Sequence, residues 1–581
     1  MAEPKTRAPR RSFRGARSAS RGALRGAAVA LAAVLLVALA ACSGIPRTGS
    51  VEAGNAIGTD DQIDVIFLAA DPVPGATQQE ILNGFILAAK SPQDDYAIAR
   101  RYLTRDAAAT WKPNESTTVD TGSRPISAVG DARLQMSVTP VATVDSNGSY
   151  TESTSSAPAP LTFDFTQDDG EWRINALANG IVIEDLFFDQ VFSSHALYFY
   201  DPSYTYLVPD LRWFPTSASV GTRIVRALLA GPSSWLGGGA VVTAFPEGTQ
   251  TSSVVTTGGQ TQVELSSNVL QADANDLQRM NFQLSASLSD LASASRVAIS
   301  VDQNVVPIPG SDVSEPNVAP RVDAQPLVLR DGSFGYLSGS GVIPIPGVSD
   351  PVQDLAPQAV AYSKTSGTAA VKAASGAVYA VRLSGGQGVP TLLDQRIDLI
   401  EPAVDPFGYV WSVPADQPTA LTATGANGSP ITVPTTWDGA SGITSFEVSR
   451  DGTRALAYLT SGGLPKLVVS AVIRDPNGVP RGLGEPIALS TSAGTPIAAT
   501  WVDQLTVASL AVLPSGETRA SAQKLGGRST TLGAPPAGVA MAGGNDLEGL
   551  RVLSSSGDLL QQRGSAWQAV VSGIGKLATQ N

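Results

Sequence analysis

SRDGTRALAYL, residues 449–459, decides how the C-terminal half of this chain is read. Asp-Gly is a tight-turn pair and the residues behind it are apolar, so the stretch predicts a turn that feeds a strand. The unit recurs in SKTSGTAAVKA at Gly367, DPFGYVWSV at Gly408, WVDQLTVASL at Asp503 and GNDLEGLRVLS at Gly549. An earlier copy, RDGSFGYLSG, begins near Asp331. From Gly367 onward the steps are 41, 44, 51 and 46 residues. Repeats of roughly 40–50 residues with room for four short strands are the blades of a β-propeller. No long helical period interrupts residues 320–575, which therefore predict an all-β propeller of five to six blades. Two β-sandwiches in tandem are the alternative packing of the same strands.

SRDGTRALA is also similar to the blade signature of TolB-like propellers, in which Asp and Gly make the turn. Asp451 is accordingly read as structural first. Trp411, Trp501 and Trp567 lie in the same region and are read mainly as blade-packing residues.

Upstream, the order of elements changes. ALYFYDPSYTYLV, residues 196–208, gives two strands around Asp201-Pro202, and TRIVRALLA, residues 222–230, gives a helix stopped by Gly231-Pro232. TQVEL, residues 261–265, reads as a strand. Leu277, Met280, Leu284, Leu288 and Leu291 then recur at helical spacing and predict a buried stripe. RVAISVDQNVV, residues 296–306, returns as a strand. This order, with ALLAGPS at 227–233, resembles the GerMN domain and assigns it residues 193–312. The resemblance implies a binding or assembly module.

Before it, Ile81, Leu82, Phe85, Ile86 and Ala89 fall on one helical face, and Tyr96, Ala99, Tyr102 and Leu103 on another. Asp94 and Asp95 stand at the predicted start of the second helix, where carboxylates can cap it. LTFDFTQDDGEWRINAL, residues 161–177, alternates on both sides of an Asp-Gly turn and predicts a hairpin. QIDVIFL, residues 62–68, reads as a strand. Helices followed by a curved antiparallel sheet ending in EWRI are similar to the NTF2-like α+β cone, assigned to residues 62–192. The fold class expected is thus multidomain: two α+β domains, NTF2-like then GerMN, followed by the propeller.

The N-terminus reads as an export signal. Eight Lys or Arg lie between residues 5 and 25, and Ala27 to Ala41 holds no polar side chain. That run is shorter than the roughly 20 residues a membrane-spanning helix needs. Leu39-Ala40-Ala41-Cys42 resembles a lipobox, and Cys42 is the sole cysteine, so it has no internal disulfide partner. Residues 1–41 are read as a lipoprotein signal peptide. The resemblance implies S-diacylglycerol and N-acyl groups on Cys42, with the chain lipid-anchored on the extracytoplasmic face of the cell membrane. Two or three acyl chains anchor stably where one is marginal. Arg10-Arg11-Ser12-Phe13 resembles part of a twin-arginine motif, and the export route stays open between Sec and twin-arginine. Residues 42–61, Gly-rich and polar, are a flexible tether. Its nineteen residues after Cys42 span up to roughly 65 Å when extended.

Without the signal, 31 basic and 50 acidic residues remain, a net charge of −19. Nucleic acid is not an expected partner. The single histidine, His195, excludes HExxH zinc sites and any site of two histidines. GIGK at 573–576 fails the P-loop spacing. No catalytic residue, cofactor or metal is assigned.

The complete order of parts resembles the LpqB family of actinobacterial lipoproteins, most closely over Phe85 to Pro113 and ALLAGPS. The resemblance implies an accessory of a sensor histidine kinase, MtrB, which tunes phosphorylation of the regulator MtrA and affects cell-wall homeostasis and division. Two other readings stand beside it. An envelope glycan or peptidoglycan binder predicts exposed aromatics along a groove. A propeller hydrolase predicts two converging carboxylates. A protein partner predicts an apolar-centred surface with a polar rim.

Overall fold

The computed structural model describes residues 69–153, 155–291 and 296–581. Cys42, the signal segment, the tether and the strand expected at 62–68 lie outside them. No helix among the described residues is long and apolar enough to cross a membrane.

The first domain opens with helix α1, Gln78–Ala88. Thr77 caps it by accepting from the Glu80 N–H, and the Glu80 carboxylate accepts from the Thr77 N–H at 2.8 Å. Its apolar face buries Ile81, Leu82, Phe85 and Ile86. The second helical pattern is realised differently from the expectation. Asp94, Asp95 and Tyr96 take φ of 48, 55 and 62°, so the backbone is left-handed where a cap would stand. The helix shrinks to Ala97–Arg100, and Asp95 pairs with Arg100 at 2.6 Å instead of capping. Tyr96, Ala99, Tyr102 and Leu103 are nevertheless buried together. Side-chain periodicity survived where backbone regularity did not.

Strands complete this domain as two four-stranded sheets. In one, Ser116–Asp120 pairs antiparallel with Pro140–Asp145 and parallel with Ile181–Glu184, and Tyr150–Glu152 forms the outer edge. The other holds the expected hairpin, Ala159–Asp168 with Glu171–Ala176, turning at Asp169 and Gly170 with φ of 52 and 80°.

Next, Phe192–Tyr200 and Tyr206–Pro215 form one long hairpin. The helix Val220–Ala230 follows, ended by Gly231. Gln260–Leu265 and Arg296–Val301 pair in parallel, which requires a crossover, and the helix Ala274–Ser287 lies within that connection. Met280, Leu284 and Leu288 are fully buried against Ile224, Leu228 and Ile299, so the Met/Leu stripe is core.

The remainder is mostly β, with one short helix, Ser349–Asp354. Its strands form six antiparallel units of four, here blades 1–6; blades 1 and 2 are joined into one eight-stranded sheet, and Ile487–Leu489 adds a fifth strand to blade 4. Blade 1 combines Leu327–Arg330, Ser333–Ser338 and Gly341–Ile343 with the innermost strand Ile574–Gln580 from the other end of the sequence. Blades 2 to 6 occupy 357–394, 403–432, 440–483, 495–533 and 538–571. Their innermost strands meet in cyclic order, and the strand Ile574–Gln580 touches both the last blade and blade 2. The ring is thereby closed. The GIGK stretch is part of the closing strand.

Turns between first and second strands fix neighbouring blades. Gly452 sits at φ +72°, and a Cβ there would meet the Phe407 ring at 2.6 Å. Only glycine fits this turn. Asp451 accepts from the Thr453 N–H at 2.9 Å, from the Ser449 and Thr453 hydroxyls, and from buried Arg454. Asp405 does the equivalent work in blade 3: it accepts from the Phe407 and Tyr409 N–H groups and from the Trp411 indole at 3.0 Å. Arg474 of blade 4 reaches back to it at 2.6 Å.

Candidate functional site

The described part of the chain is built so that three domains contact one another through named polar groups. Glu152, on the edge strand of the first domain, accepts from the Ser529 N–H at 2.8 Å and from the Gln523 amide at 3.1 Å, and also from the Ser490 hydroxyl. All three donors belong to blade 5 or the loop before it. Arg528 pairs with Asp185 at 2.9 Å and Asp189 at 3.3 Å and lies over the Phe188 ring. The second domain contributes the Trp213 indole, which donates to the Gly526 carbonyl at 2.8 Å, and the Tyr198 hydroxyl, which accepts from Gln504. A buried pair, Asp210 and Arg212 at 2.6 Å, joins this junction, and Arg212 also donates to the Asn147 carbonyl of the first domain. The three domains enclose a cavity of about 530 Å³ lined by Tyr150, Glu152, Arg212, Trp235 and Gln523.

The residues singled out in the sequence fall as follows. Trp411, Trp501 and Trp567 are 0, 4 and 8% exposed, so no exposed aromatic platform is formed by them. His195 is buried on the long hairpin beside Phe214, with Nε2 2.9 Å from the Ser193 hydroxyl. Burial holds its pKa below the ordinary histidine value. Nδ1 has no partner among the described residues, so no third group orients the ring as a catalytic triad would require. Cys42 lies outside the described residues.

Two carboxylates that the sequence did not single out, Glu447 and Glu401, feel each other's charge. Glu447 is on the innermost strand of blade 4 and accepts from the Trp501 N–H at 2.9 Å and the Thr500 hydroxyl at 3.1 Å. Burial pushes it up to about 7 against those hydrogen bonds, and the charge of Glu401 adds to the rise. Glu401, in the loop before blade 3, keeps an exposed side chain, and partial desolvation by its surroundings raises it too. Lys372 of blade 2 and Lys576 of blade 1 act in the opposite direction. No group of three or more His, Cys, Asp or Glu placed to hold a metal ion occurs among the described residues.

The most apolar exposed stretch of the propeller is on blade 2. Its outermost strand, Gln387–Asp394, has one edge unpaired. Val389 and Leu392 on it are 55 and 42% exposed, and Ile397 in the loop beyond is 82% exposed. Gln387, Thr391 and Gln395 supply polar neighbours. An exposed apolar edge of this kind marks an interaction surface or an aggregation hazard. A sequence signal for it exists in QGVPTLLD: Pro390 cannot donate to a ladder and so places the strand at an edge.

Comparison with known proteins gives three family matches. "Lipoprotein LpqB, N-terminal domain" matches residues 71–189, "Sporulation and spore germination" residues 196–306, and "Lipoprotein LpqB beta-propeller domain" residues 332–577. Lipoprotein LpqB of Thermobifida fusca is 31% identical over 49% of this chain and 47% of its own length, so that match spans about half of the relative. The namesakes from Streptomyces coelicolor and Mycolicibacterium smegmatis are 27 and 25% identical. They match over 77 and 93% of this chain and 79 and 97% of their own lengths. Among solved structures, the first GerMN domain of the sporulation protein GerM from Bacillus subtilis aligns at 21% identity. It covers 21% of this chain and 96% of that one, with a TM-score of 0.18.

Proposed function

Because the chain belongs to the LpqB family of lipoproteins, we propose that it acts from the extracytoplasmic face of the cell membrane as an accessory of an MtrB-type sensor histidine kinase. In this reading it works by binding and not by catalysis. The first domain is taken as NTF2-like and residues 42–61 as the tether to an acylated Cys42. The observation that carries the proposal is the family match on both sides of the GerMN-like domain, over 71–189 and 332–577. The apolar edge of blade 2 supports a protein partner over a soluble ligand.

Mechanistically, the protein would bias an equilibrium of the kinase sensor domain. It can shift that equilibrium only by its difference in affinity for the two states. A tenfold preference corresponds to about 1.4 kcal/mol. A shared membrane face raises the effective concentration of both partners.

Three outcomes are expected. Cys42→Ala should move the protein from the membrane fraction to the soluble or secreted fraction. Retention of that variant through salt washing without detergent would refute the lipid anchor. In solution, residues 43–581 should bind the isolated extracytoplasmic domain of the cognate kinase saturably. Ile397→Asp combined with Val389→Lys should weaken that binding at least tenfold while leaving the melting temperature unchanged. Absence of binding at high micromolar concentration, with both partners also co-tethered to one bilayer, would refute the accessory reading. The glycan-binding alternative would need a surface other than Trp411, Trp501 and Trp567, since all three are buried.

A further inference from the structure

Arg450 is an unusual residue in so acidic a protein. It is 8% exposed and forms no ion pair among the described residues. Its guanidinium donates to the Val502 carbonyl at 3.2 Å, to the Gly544 carbonyl and, at 3.4 Å, to Asn545 Oδ1. Nε is buried and has no hydrogen-bond partner among the described residues. A buried guanidinium without a counter-charge is costly, and burial depresses its pKa.

The reason to look for a ligand is what surrounds it. Arg450, in the turn of blade 4, lines a pocket of about 330 Å³ that it shares with Asp503 and Lys524 of blade 5, Asn545 of blade 6 and Arg321 of the segment before blade 1. Arg321 and Lys524 are exposed, and neither is ion-paired among the described residues. Arg321 is held in place because the neighbouring Val322 is clamped to Asn545 by two hydrogen bonds, at 2.9 and 3.0 Å. Its charge repels that of Arg450, whereas Glu447 and Asp503 attract it from a distance. Asp503 is the one carboxylate on the wall. One of its oxygens is occupied by the Leu505 and Thr506 N–H groups at 2.8 and 2.7 Å. Three cations against one anion leave the pocket with a charge of about +2, inside a body whose net charge is strongly negative.

We propose that this pocket binds a dianionic phosphate group, with Arg321 and Lys524 at its mouth and Arg450 at its floor. Guanidinium forks suit phosphate oxygens, and an ammonium adds a point charge. The assignment is independent of the kinase reading, because it rests only on the charges and packing of these residues.

The test is calorimetric titration of the full-length protein in detergent with inorganic phosphate at constant ionic strength. Acetate and chloride serve as parallel arms, and glycerol 3-phosphate tests a phosphate ester against the free ion. Saturable phosphate binding is expected, weakened about tenfold in Arg321→Ala and again in Lys524→Ala. Both side chains are exposed and unpaired, so both variants should keep the wild-type melting temperature in chloride. Tighter binding of glycerol 3-phosphate than of phosphate would support the site and identify an ester as its ligand. An equal response to acetate or chloride, or phosphate binding unchanged in both variants, would overturn the proposal.

Discussion

Asp405→Ala should destabilise the propeller by about 3–5 kcal/mol, the cost of leaving a buried charge without its partner. Asp405 is fully buried, and so in effect is Arg474, at 2.6 Å from it. Arg474 also donates to the Gly452 and Gly478 carbonyls at 2.8 Å and lies over the rings of Phe407 and Trp411. Deleting the carboxylate therefore removes four acceptor contacts within blade 3 and its seam with blade 4, and strands a guanidinium among aromatic rings. Chemical denaturation of the variant against wild type measures the loss. Glu517→Ala, which breaks a pair with Arg519 at the surface, is the control and should change stability by less than about 0.5 kcal/mol. A loss under 1 kcal/mol in Asp405→Ala would show that the turn aspartates are dispensable, and with them the account of how blades are joined.

The second large effect is on pH dependence. Glu447 is raised from its ordinary value to about 7, chiefly by burial. A group raised by folding contributes stability that is complete below its unfolded value and is lost as pH rises through its folded value. The wild type should thus lose roughly 2–3 kcal/mol between pH 4.5 and 8 on account of this residue. Glu447→Gln stays neutral and retains an oxygen to accept from Trp501 N–H and the Thr500 hydroxyl. It should lack this decline toward high pH and be more stable than wild type at pH 8. His195 works in the other direction. Its pKa is held below the ordinary value, so its contribution is present above about pH 6.5 and declines as pH falls through the depressed folded pKa. Denaturation midpoints of both proteins at pH 5, 6.5 and 8 separate the two. Parallel curves for wild type and Glu447→Gln would mean that the carboxylate is solvated, contrary to its surroundings.

Much of the fold was legible because turn chemistry and side-chain period are local. Asp-Gly pairs marked the hairpin at 169–170 and the turn at 451–452, and the Met/Leu stripe at 277–288 marked a buried helix. The blade repeat was visible through its turns, although no spacing rule reveals that Ile574–Gln580 pairs with Leu327–Arg330. The left-handed run Asp94–Tyr96 was invisible for a related reason. Aspartates before a helical pattern ordinarily cap it, and only tertiary contacts select otherwise. The functional surfaces were the least legible. Glu447 on its strand and Glu401 in its loop look like any other glutamates in sequence; their environment comes from other blades. Arg450 sits inside the very motif that announced the propeller, but its lack of a counter-charge is a fact about Asn545, Gly544 and Val502, residues 52–95 positions away.

The closing strand has a consequence for the history of each molecule. Leu327–Arg330 and its partner are separated by about 250 residues of chain, so blade 1 keeps a bare edge, with Val328 and Leu329 uncovered, until that whole interval has been synthesised. A chain threaded outward in extended form meets the envelope as an unsealed ring, and the late, long-range pairing makes sealing a slow event. A chain that crosses already folded carries no such open interval. Under the export proposed above, the strand acts as a latch whose timing is set by the route across the membrane, and the lifetime of the unlatched state is the interval during which aggregation and proteolysis compete with folding.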